Sequence, residues 1–202
     1  NLYLCDFVDD TQSAFPMSVM NRCRVDSETA WKDFNGYALR PYGEGEVAIG
    51  YDPQESAQGD DAALVVMALP KAKGGTYRVL EKRRLRGDFE VQAAAIFAAM
   101  AKYNVVDIAI DDTGAGAAVL QLVSKQFPLV RAIRYSAPLK TMMVMRAKNI
   151  IGAGRLEYDA GDKDITASFL SIRPQLTKSE RQLTFVADRR EDTGHADVAW
   201  AI

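Results

Sequence analysis

The sequence predicts an α/β domain with a mixed central β-sheet flanked by α-helices. Three short apolar segments separated by turn residues, between 47 and 85, predict an antiparallel meander. Apolar residues then recur at helical spacing from 89 to 103, and a strand, a second helix and another strand follow. A meander that continues into a βαβ unit gives a sheet with both antiparallel and parallel neighbours, covered by helices.

The predicted elements alternate along most of the chain. Strands are expected at 47–51, 62–69, 77–85, 105–110, 130–135, near 156 and at 183–187, and helices at 89–103, 117–124, 141–151, 164–173 and from 193. Asp88 is suited to cap the first helix, and Gly152 and Pro174 are suited to end the third and fourth. Residues 1–40 differ in pattern from the rest, so they predict a lead-in or linker before a domain at 41–202.

A chain of 202 residues is long enough for one sizeable domain with its own core. No segment approaches the ~18 to 20 apolar residues that span a bilayer, and no signal peptide opens the sequence.

Cys5 and Cys23 form no Cys-x-x-Cys pair and His195 is the only histidine, which argues against a Cys/His zinc site. Free thiols fit a reducing cytoplasm, so we expect a cytoplasmic protein that is not secreted.

Basic residues form two groups in the sequence, although the formal net charge is −2. The first group is Lys82, Arg83, Arg84 and Arg86, and the second, looser group is Arg131, Arg134, Lys140, Arg146 and Lys148. Such groups are typical either of a solvated face or of a nucleic-acid surface, and the sequence leaves both open. The candidates for contact with a phosphate backbone are Lys82, Arg83, Arg84 and Lys140.

Three aspartates stand where predicted elements end or begin. Asp52 closes the first strand, Asp111 closes the fourth, and Asp197 lies in the first turn of the last helix. Because side chains alternate along a strand, Asp52 shares a face with the small residues Ala48 and Gly50, and Asp111 shares one with Ala109. If the two strands are parallel neighbours, both carboxylates point to the same side. Asp112 would point to the other, bulky side, so the alternation favours Asp111 over Asp112.

Clustered carboxylates repel one another unless a cation neutralises them, and hard oxygen ligands suit Mg²⁺ or Mn²⁺. Two such ions can clamp a phosphodiester and activate the attacking water. The alternative is that each aspartate is an ordinary loop or capping residue, as Asp197 would be in a first helical turn. Spacing alone does not decide between these two interpretations.

The three aspartates lie in three short motifs. The first comprises the segments 49–53 and 59–66, the second is 108–116, an Asp-x-x-Gly-x-Gly pattern after a strand, and the third is 195–201, in which an aspartate opens the final helix. These motifs resemble those of the nuclease of the large terminase subunit of tailed phages and prophages. The resemblance covers nearly the whole chain, in the same order.

This resemblance implies a ribonuclease-H-like fold and an endonuclease that cuts concatemeric viral DNA. It implies that Asp52, Asp111 and Asp197 are the catalytic metal ligands for two Mg²⁺ or Mn²⁺ ions. It also implies supporting roles near the site for Asp60 or Asp61 and for His195.

The resemblance further implies partners. These are double-stranded DNA, an ATPase motor domain before Asn1 in the same polypeptide, the portal and the small terminase subunit, with no membrane, in an infected or lysogenic bacterial cell. The chain itself has no G-x-x-x-x-G-K-[ST] phosphate loop, so it is not expected to hydrolyse ATP.

Three other functions stay open at this stage. Another nuclease on the same fold, such as a resolvase or integrase, would differ in substrate preference. A non-catalytic docking domain would bind a partner without needing a metal. An actin-like ATPase would bind nucleotide through the Gly-rich turn that follows Asp111.

Overall fold

A seven-stranded mixed sheet forms the centre of the computed structural model, which describes residues 12–53, 61–114, 116–177, 183–187 and 196–202. The strand order is β1-β7-β4-β3-β2-β5-β6. The strands of this sheet are β1 (Arg24–Val25), β2 (Glu46–Asp52), β3 (Ala62–Ala68), β4 (Tyr77–Leu85), β5 (Asn104–Asp111), β6 (Arg131–Ile133) and β7 (Leu156–Asp159). A separate two-stranded sheet consists of β8 (Ile172–Leu176) and β9 (Leu183–Ala187).

Helices cover both faces of the large sheet. They are α1 (Met17–Met20), α2 (Ser27–Ala30), α3 (Phe89–Lys102), α4 (Gly116–Ser124), α5 (Ala137–Gly152), α6 (Lys163–Leu170) and α7 (Asp197–Ala201). Core residues of α3 and α4, such as Ile96 and Val119, pack on one face with Ile49 of β2. Core residues of α5, α6 and α7, such as Val144 and Phe169, pack on the other face with Val65 of β3. Among the described residues, no helix is both long enough and apolar enough to cross a membrane.

The predicted meander and βαβ unit are both confirmed. Strands β2, β3 and β4 are antiparallel neighbours, whereas β2 pairs with β5 in parallel and β5 with β6 in parallel. Asp88 caps α3 as predicted, since its side chain accepts a hydrogen bond from the Val91 backbone N–H at 2.9 Å.

Two predicted helix boundaries are wrong. The third helix begins at Ala137 rather than at 141, because Ser136 acts as its N-cap and accepts from the Leu139 N–H at 3.3 Å. The fourth helix ends at Leu170, before Pro174, and residues 172–176 form β8 instead of helix. Pro174 is tolerated there because a two-stranded sheet has edges, where a strand can lack a backbone donor.

The described part of the predicted lead-in segment packs into the domain. Phe15 and Met20 belong to the core and are almost fully buried, and β1 pairs in parallel with β7 at the sheet edge. Trp31 is also buried, and its indole N–H donates to Glu157 Oε2 at 2.8 Å. Residues 12–40 therefore contribute to the same core as the rest, while a preceding ATPase domain stays a prediction.

Candidate active site

Asp52 and Asp111 lie side by side at the carboxyl ends of neighbouring parallel strands. The register of β2 and β5 pairs Gly50 with Ala109 and Tyr51 with Ile110, one residue before each aspartate. Because facing residues of paired strands point to the same side, the two carboxylates share one face of the sheet. The condition on which the sequence argument depended, that the two strands are parallel neighbours, therefore holds.

The alternation behind this prediction holds along β2, where Val47, Ile49 and Tyr51 are buried and Asp52 is only partly buried. In β5 it holds from Ile108 onward. A strict alternation along β5 would also bury Val106 on the face of Ile108, but Val106 is 41% exposed. A shift of register in the β2–β5 pairing, from Val47–Val105 to Ala48–Asp107, leaves Val106 out of the ladder.

Asp197 approaches the same face from the short helix α7, whose small residues allow a close approach. A Cβ added at Gly50 would come within 1.7 Å of the Ala201 carbonyl oxygen, so the helix backbone lies directly on β2. Ala196, which precedes the helix, adopts a left-handed conformation with φ of 64°. The Asp197 side chain is 12% exposed.

Tyr135 lies close enough to all three aspartates for their charges to affect its hydroxyl. Burial raises the pKa of its hydroxyl, and the negative charges of Asp52, Asp111 and Asp197 raise it further. Its hydroxyl donates to the Trp200 carbonyl oxygen at 3.3 Å, and its ring lies 5.7 Å from the Trp200 ring. Tyr135 therefore connects the segment after β6 to α7 beside the carboxylates.

The loop after β5 holds the Asp111 carboxylate. Its Oδ1 accepts from the Thr113 backbone N–H at 2.9 Å and from the Thr113 hydroxyl at 2.6 Å. Gly116 is required nearby, since a Cβ there would come within 1.7 Å of the Asp111 carbonyl oxygen. Asp112 has a different partner, because both its carboxylate oxygens accept from Arg134.

The first basic group of the sequence is divided between the two faces of β4. Lys82 and Arg84 lie on the face of the aspartates, whereas Arg83 points the other way and is exposed. Lys82 donates to Asp162 and Asp164, both at 2.8 Å. Arg86 forms an ion pair with Asp61.

Arg84 links α6 to α7. It makes a bidentate pair with Asp164, with Nε at 2.8 Å from Oδ2 and Nη2 at 2.7 Å from Oδ1. Its Nη1 lies 3.6 Å from Asp197 Oδ2. The hydrogen bond to Asp164 raises the pKa of the guanidinium, and the charges of Asp197 and Asp61 act in the same direction.

The second basic group supplies one cation close to the site. The Lys140 ammonium lies over two aromatic rings, 5.2 Å from the Tyr135 centroid and 5.1 Å from the Trp200 centroid. Arg131 and Arg134 instead form ion pairs with Asp107 and Asp112. Lys140 thus contacts Trp200 of α7 and Tyr135, the tyrosine beside the carboxylates.

Two predicted supporting residues, Asp60 and His195, lie outside the described residues. Within the described ranges, no three His, Cys, Asp or Glu side chains are arranged closely enough to hold a metal ion. The structure thus brings Asp52 and Asp111 together as strand neighbours and places Asp197 over that strand, without arranging the three as a closed ligand set.

Tyr135 and Asp164 were missed as site residues by sequence reasoning. Tyr135 follows a strand that runs parallel to β5, and this position at a carboxyl end is a signal that could have identified it. Asp164 gave no comparable signal, because it stands in an ordinary first helical turn, 80 residues from Arg84.

Comparison with known proteins identifies the family. A family model described as the terminase RNaseH-like domain matches residues 49–202. The whole chain is 47% identical to "Terminase, ATPase subunit" of Escherichia phage P2, covering 34% of that protein. It is 41% identical to "Probable terminase, ATPase subunit" of Haemophilus phage HP1, covering 33% of it. The chain therefore spans about a third of the length of these curated relatives.

Solved structures share the fold. The large terminase nuclease from thermophilic phage G20c, crystallised with bound magnesium, superimposes with a TM-score of 0.71 at 18% identity, over 95% of this chain and 94% of that one. This likeness confirms the predicted ribonuclease-H-like architecture. Since the family model matches more than half of the chain, the protein belongs to the terminase RNaseH-like domain family.

Proposed function

We propose that this chain is the endonuclease part of a viral DNA-packaging terminase. In this proposal it cuts concatemeric double-stranded DNA by phosphodiester hydrolysis that depends on two Mg²⁺ or Mn²⁺ ions. The observation that carries the proposal is the parallel pairing of β2 and β5, which places Asp52 beside Asp111 at the strand ends. The family assignment supports the packaging role.

The donor atoms at the site are carboxylate oxygens, which suit a hard divalent cation. Carboxylate oxygens are the ligands that Mg²⁺ and Mn²⁺ prefer, and the described part of the site offers no thiolate or imidazole in their place. Asp52, Asp111 and Asp197 would hold the ions. A relative of the same fold was crystallised with bound magnesium, which supports divalent metal use here.

The protein's own groups prepare the site. When bound, divalent ions lower the pKa of the attacking water and stabilise the leaving oxygen. Thr113 fixes Oδ1 of Asp111, so that this carboxylate keeps one orientation. The apolar and aromatic packing of Trp200 and Tyr135 holds α7, and with it Asp197, over β2.

DNA contact near the site is assigned to Lys140. Its ammonium is held over the rings of Tyr135 and Trp200, which fixes a positive charge beside α7. A cation in this position suits the phosphate backbone, which any DNA sequence offers equally. Arg83 faces away from the carboxylates, so its contact with DNA stays a prediction without support from its position.

The partners of the whole protein belong to the same proposal. The two curated relatives are named ATPase subunits and are about three times as long as this chain, which supports an ATPase domain in the same polypeptide. The portal and the small terminase subunit are proposed partners in packaging. The proposed place of action is the cytoplasm of an infected or lysogenic bacterial cell.

The test is cleavage of supercoiled plasmid in EDTA, Mg²⁺ or Mn²⁺ by the wild-type chain, Asp111→Ala and Asp107→Ala. Asp107 is a matched control because it is an aspartate of the same strand, paired with Arg131 away from the site. We expect metal-dependent nicking and linearisation by wild type and Asp107→Ala, and none by Asp111→Ala. A folded wild-type chain that binds DNA but leaves the plasmid intact with every metal would favour the docking-domain alternative.

A further inference from the structure

Arg84 stands in the same row of the sheet as the two strand-end aspartates. Antiparallel pairing places Asp52 opposite Ala63, and Ala63 opposite Arg84. Facing residues share a side of the sheet, so Arg84 projects from the face that carries Asp52 and Asp111. Ala63, which stands between Asp52 and Arg84 in this row, is fully buried and has only a methyl side chain.

Two carboxylates, those of Asp164 and Asp197, lie beside the guanidinium of Arg84. Its bidentate pair with Asp164 uses Nε and Nη2, and its Nη1 faces Asp197 Oδ2 at 3.6 Å. The Arg84 side chain is 22% exposed and the Asp164 side chain 24%. A planar, bidentate arginine pair of limited exposure fixes orientation more strongly than a flexible surface pair.

The partner of Arg84 lies on the helix that supports α7. Asp164 is in the first turn of α6, where Lys82 also donates to it at 2.8 Å. Further along α6, the buried hydroxyl of Ser168 accepts from the Ala199 backbone N–H of α7 at 2.9 Å. Arg84 therefore holds α6 through Asp164 while it faces the carboxylate at the start of α7.

We propose that Arg84 is a positioning residue that sets the place of Asp197 through Asp164 and α6, rather than a residue that contacts DNA. This inference rests on the proposed nuclease function. A DNA phosphate could form a bidentate contact with Nε and Nη2 of Arg84 only by displacing Asp164. Instead, Arg84 contacts Asp164 of α6 on one side and Asp197 of α7 on the other, and these side-chain contacts set the position of α7 over β2.

The test compares Arg84→Met, Asp164→Asn and their double mutant with Arg78→Met. Arg78 is a matched control because it lies on the same strand, is 27% exposed and pairs with Asp33 at 2.7 Å at the opposite end of β4. Hydrogen exchange followed by mass spectrometry reports on the backbone of each element without requiring activity. Plasmid cleavage measured against DNA concentration separates kcat from KM.

Both single variants are expected to speed exchange in 163–170 and 197–201, with β2 and β5 unchanged, whereas Arg78→Met leaves 197–201 as in wild type. In both, kcat falls by about 10- to 100-fold while KM for DNA stays within about twofold, because a misplaced ligand lowers turnover rather than affinity. The double mutant loses no more kcat than Arg84→Met, because the two residues act as one unit.

Unchanged exchange in 197–201 of Arg84→Met would overturn the proposal, whatever the activity. So would a raised KM with unchanged kcat, which is the pattern of a DNA contact. Faster exchange everywhere would show a global loss of stability and would also overturn it. If the wild-type chain cleaves nothing but exchange in 197–201 still rises, the positioning role stands and the proposed nuclease function fails.

Discussion

The backbone carbonyl of Ala201 occupies the space next to Gly50 that a side chain would need. A Cβ at Gly50 would come within 1.7 Å of that oxygen and within 2.7 Å of the carbonyl carbon. Since the neighbour is backbone, no rotamer change relieves the contact. Gly50 thus sets how closely α7 packs on β2, two residues before Asp52 on the same face.

Gly50→Ala is therefore expected to displace α7 and Asp197 with it. The free energy of unfolding should fall by about 1 to 3 kcal/mol, as for other overpacked positions, and plasmid cleavage should fall with it. Chemical denaturation and cleavage assays measure both effects. Gly152→Ala is the matched control, because no atom lies within 4 Å of an added Cβ there. Equal stability of the two variants would contradict the close packing of α7.

The second prediction concerns the adjacent pair Asp111 and Asp112. Asp111→Ala should lower plasmid cleavage by about 100-fold or more, because a lost metal ligand removes several kcal/mol of transition-state stabilisation. Asp112→Ala should be milder, since Asp112 is engaged by Arg134 and its backbone N–H by Ile133. Cleavage rates at saturating Mg²⁺ measure the difference. A greater loss in Asp112→Ala would show that the strand register assigns the wrong aspartate.

Much of the sheet could be predicted because its signals are local. Alternation with a period of two put Asp52 and Asp111 on one face, provided that their strands are parallel neighbours, and the meander–βαβ order predicted a mixed sheet. These inferences use neighbours in sequence and the few topologies that the element order permits.

Features that depend on distant partners could not be predicted. The side chains of Arg84 and Asp164 meet across 80 residues. The basic group at 82–86 therefore did not reveal that three of its members, Lys82, Arg84 and Arg86, are paired with carboxylates. The bulge at Val106 arises from pairing with β2, and nothing in the strand's own pattern marks it. Pro174 indicated a helix end, but only the pairing with Phe185 makes its segment a strand.

The third prediction is that Lys140 contributes to electrostatic DNA binding. Lys140→Met should weaken DNA binding at low salt and reduce the slope of log affinity against log salt by about 1, the effect of one phosphate contact. Fluorescence anisotropy over a salt series, with EDTA to prevent cleavage, measures the slope. Lys73→Met is the control, because Lys73 is exposed in the β3–β4 connection at the opposite end of the sheet. The same slope in both variants would exclude this contact.

The fourth prediction is a pH-dependent contribution of Asp164 to stability. Burial alone would raise the pKa of this carboxyl, but hydrogen bonds from Arg84 and Lys82 outweigh it and hold the pKa below the ordinary value of 3.8. A carboxyl whose pKa is lower in the folded state adds stability that is fully present above the unfolded pKa. That stability is lost as pH falls through the folded value.

Asp164→Asn should therefore be less stable than wild type by about 1 to 3 kcal/mol at neutral pH, the range for hydrogen bonds to charged groups. The difference should stay constant down to about pH 5 and shrink below about pH 4, where protonation removes the wild-type charge. Urea denaturation from pH 3 to pH 8 measures it, with Asp107→Asn as the control for an exposed ion pair. A difference that grows toward low pH would mean that Asp164 is protonated more easily in the folded state, against the ion pairs with Arg84 and Lys82.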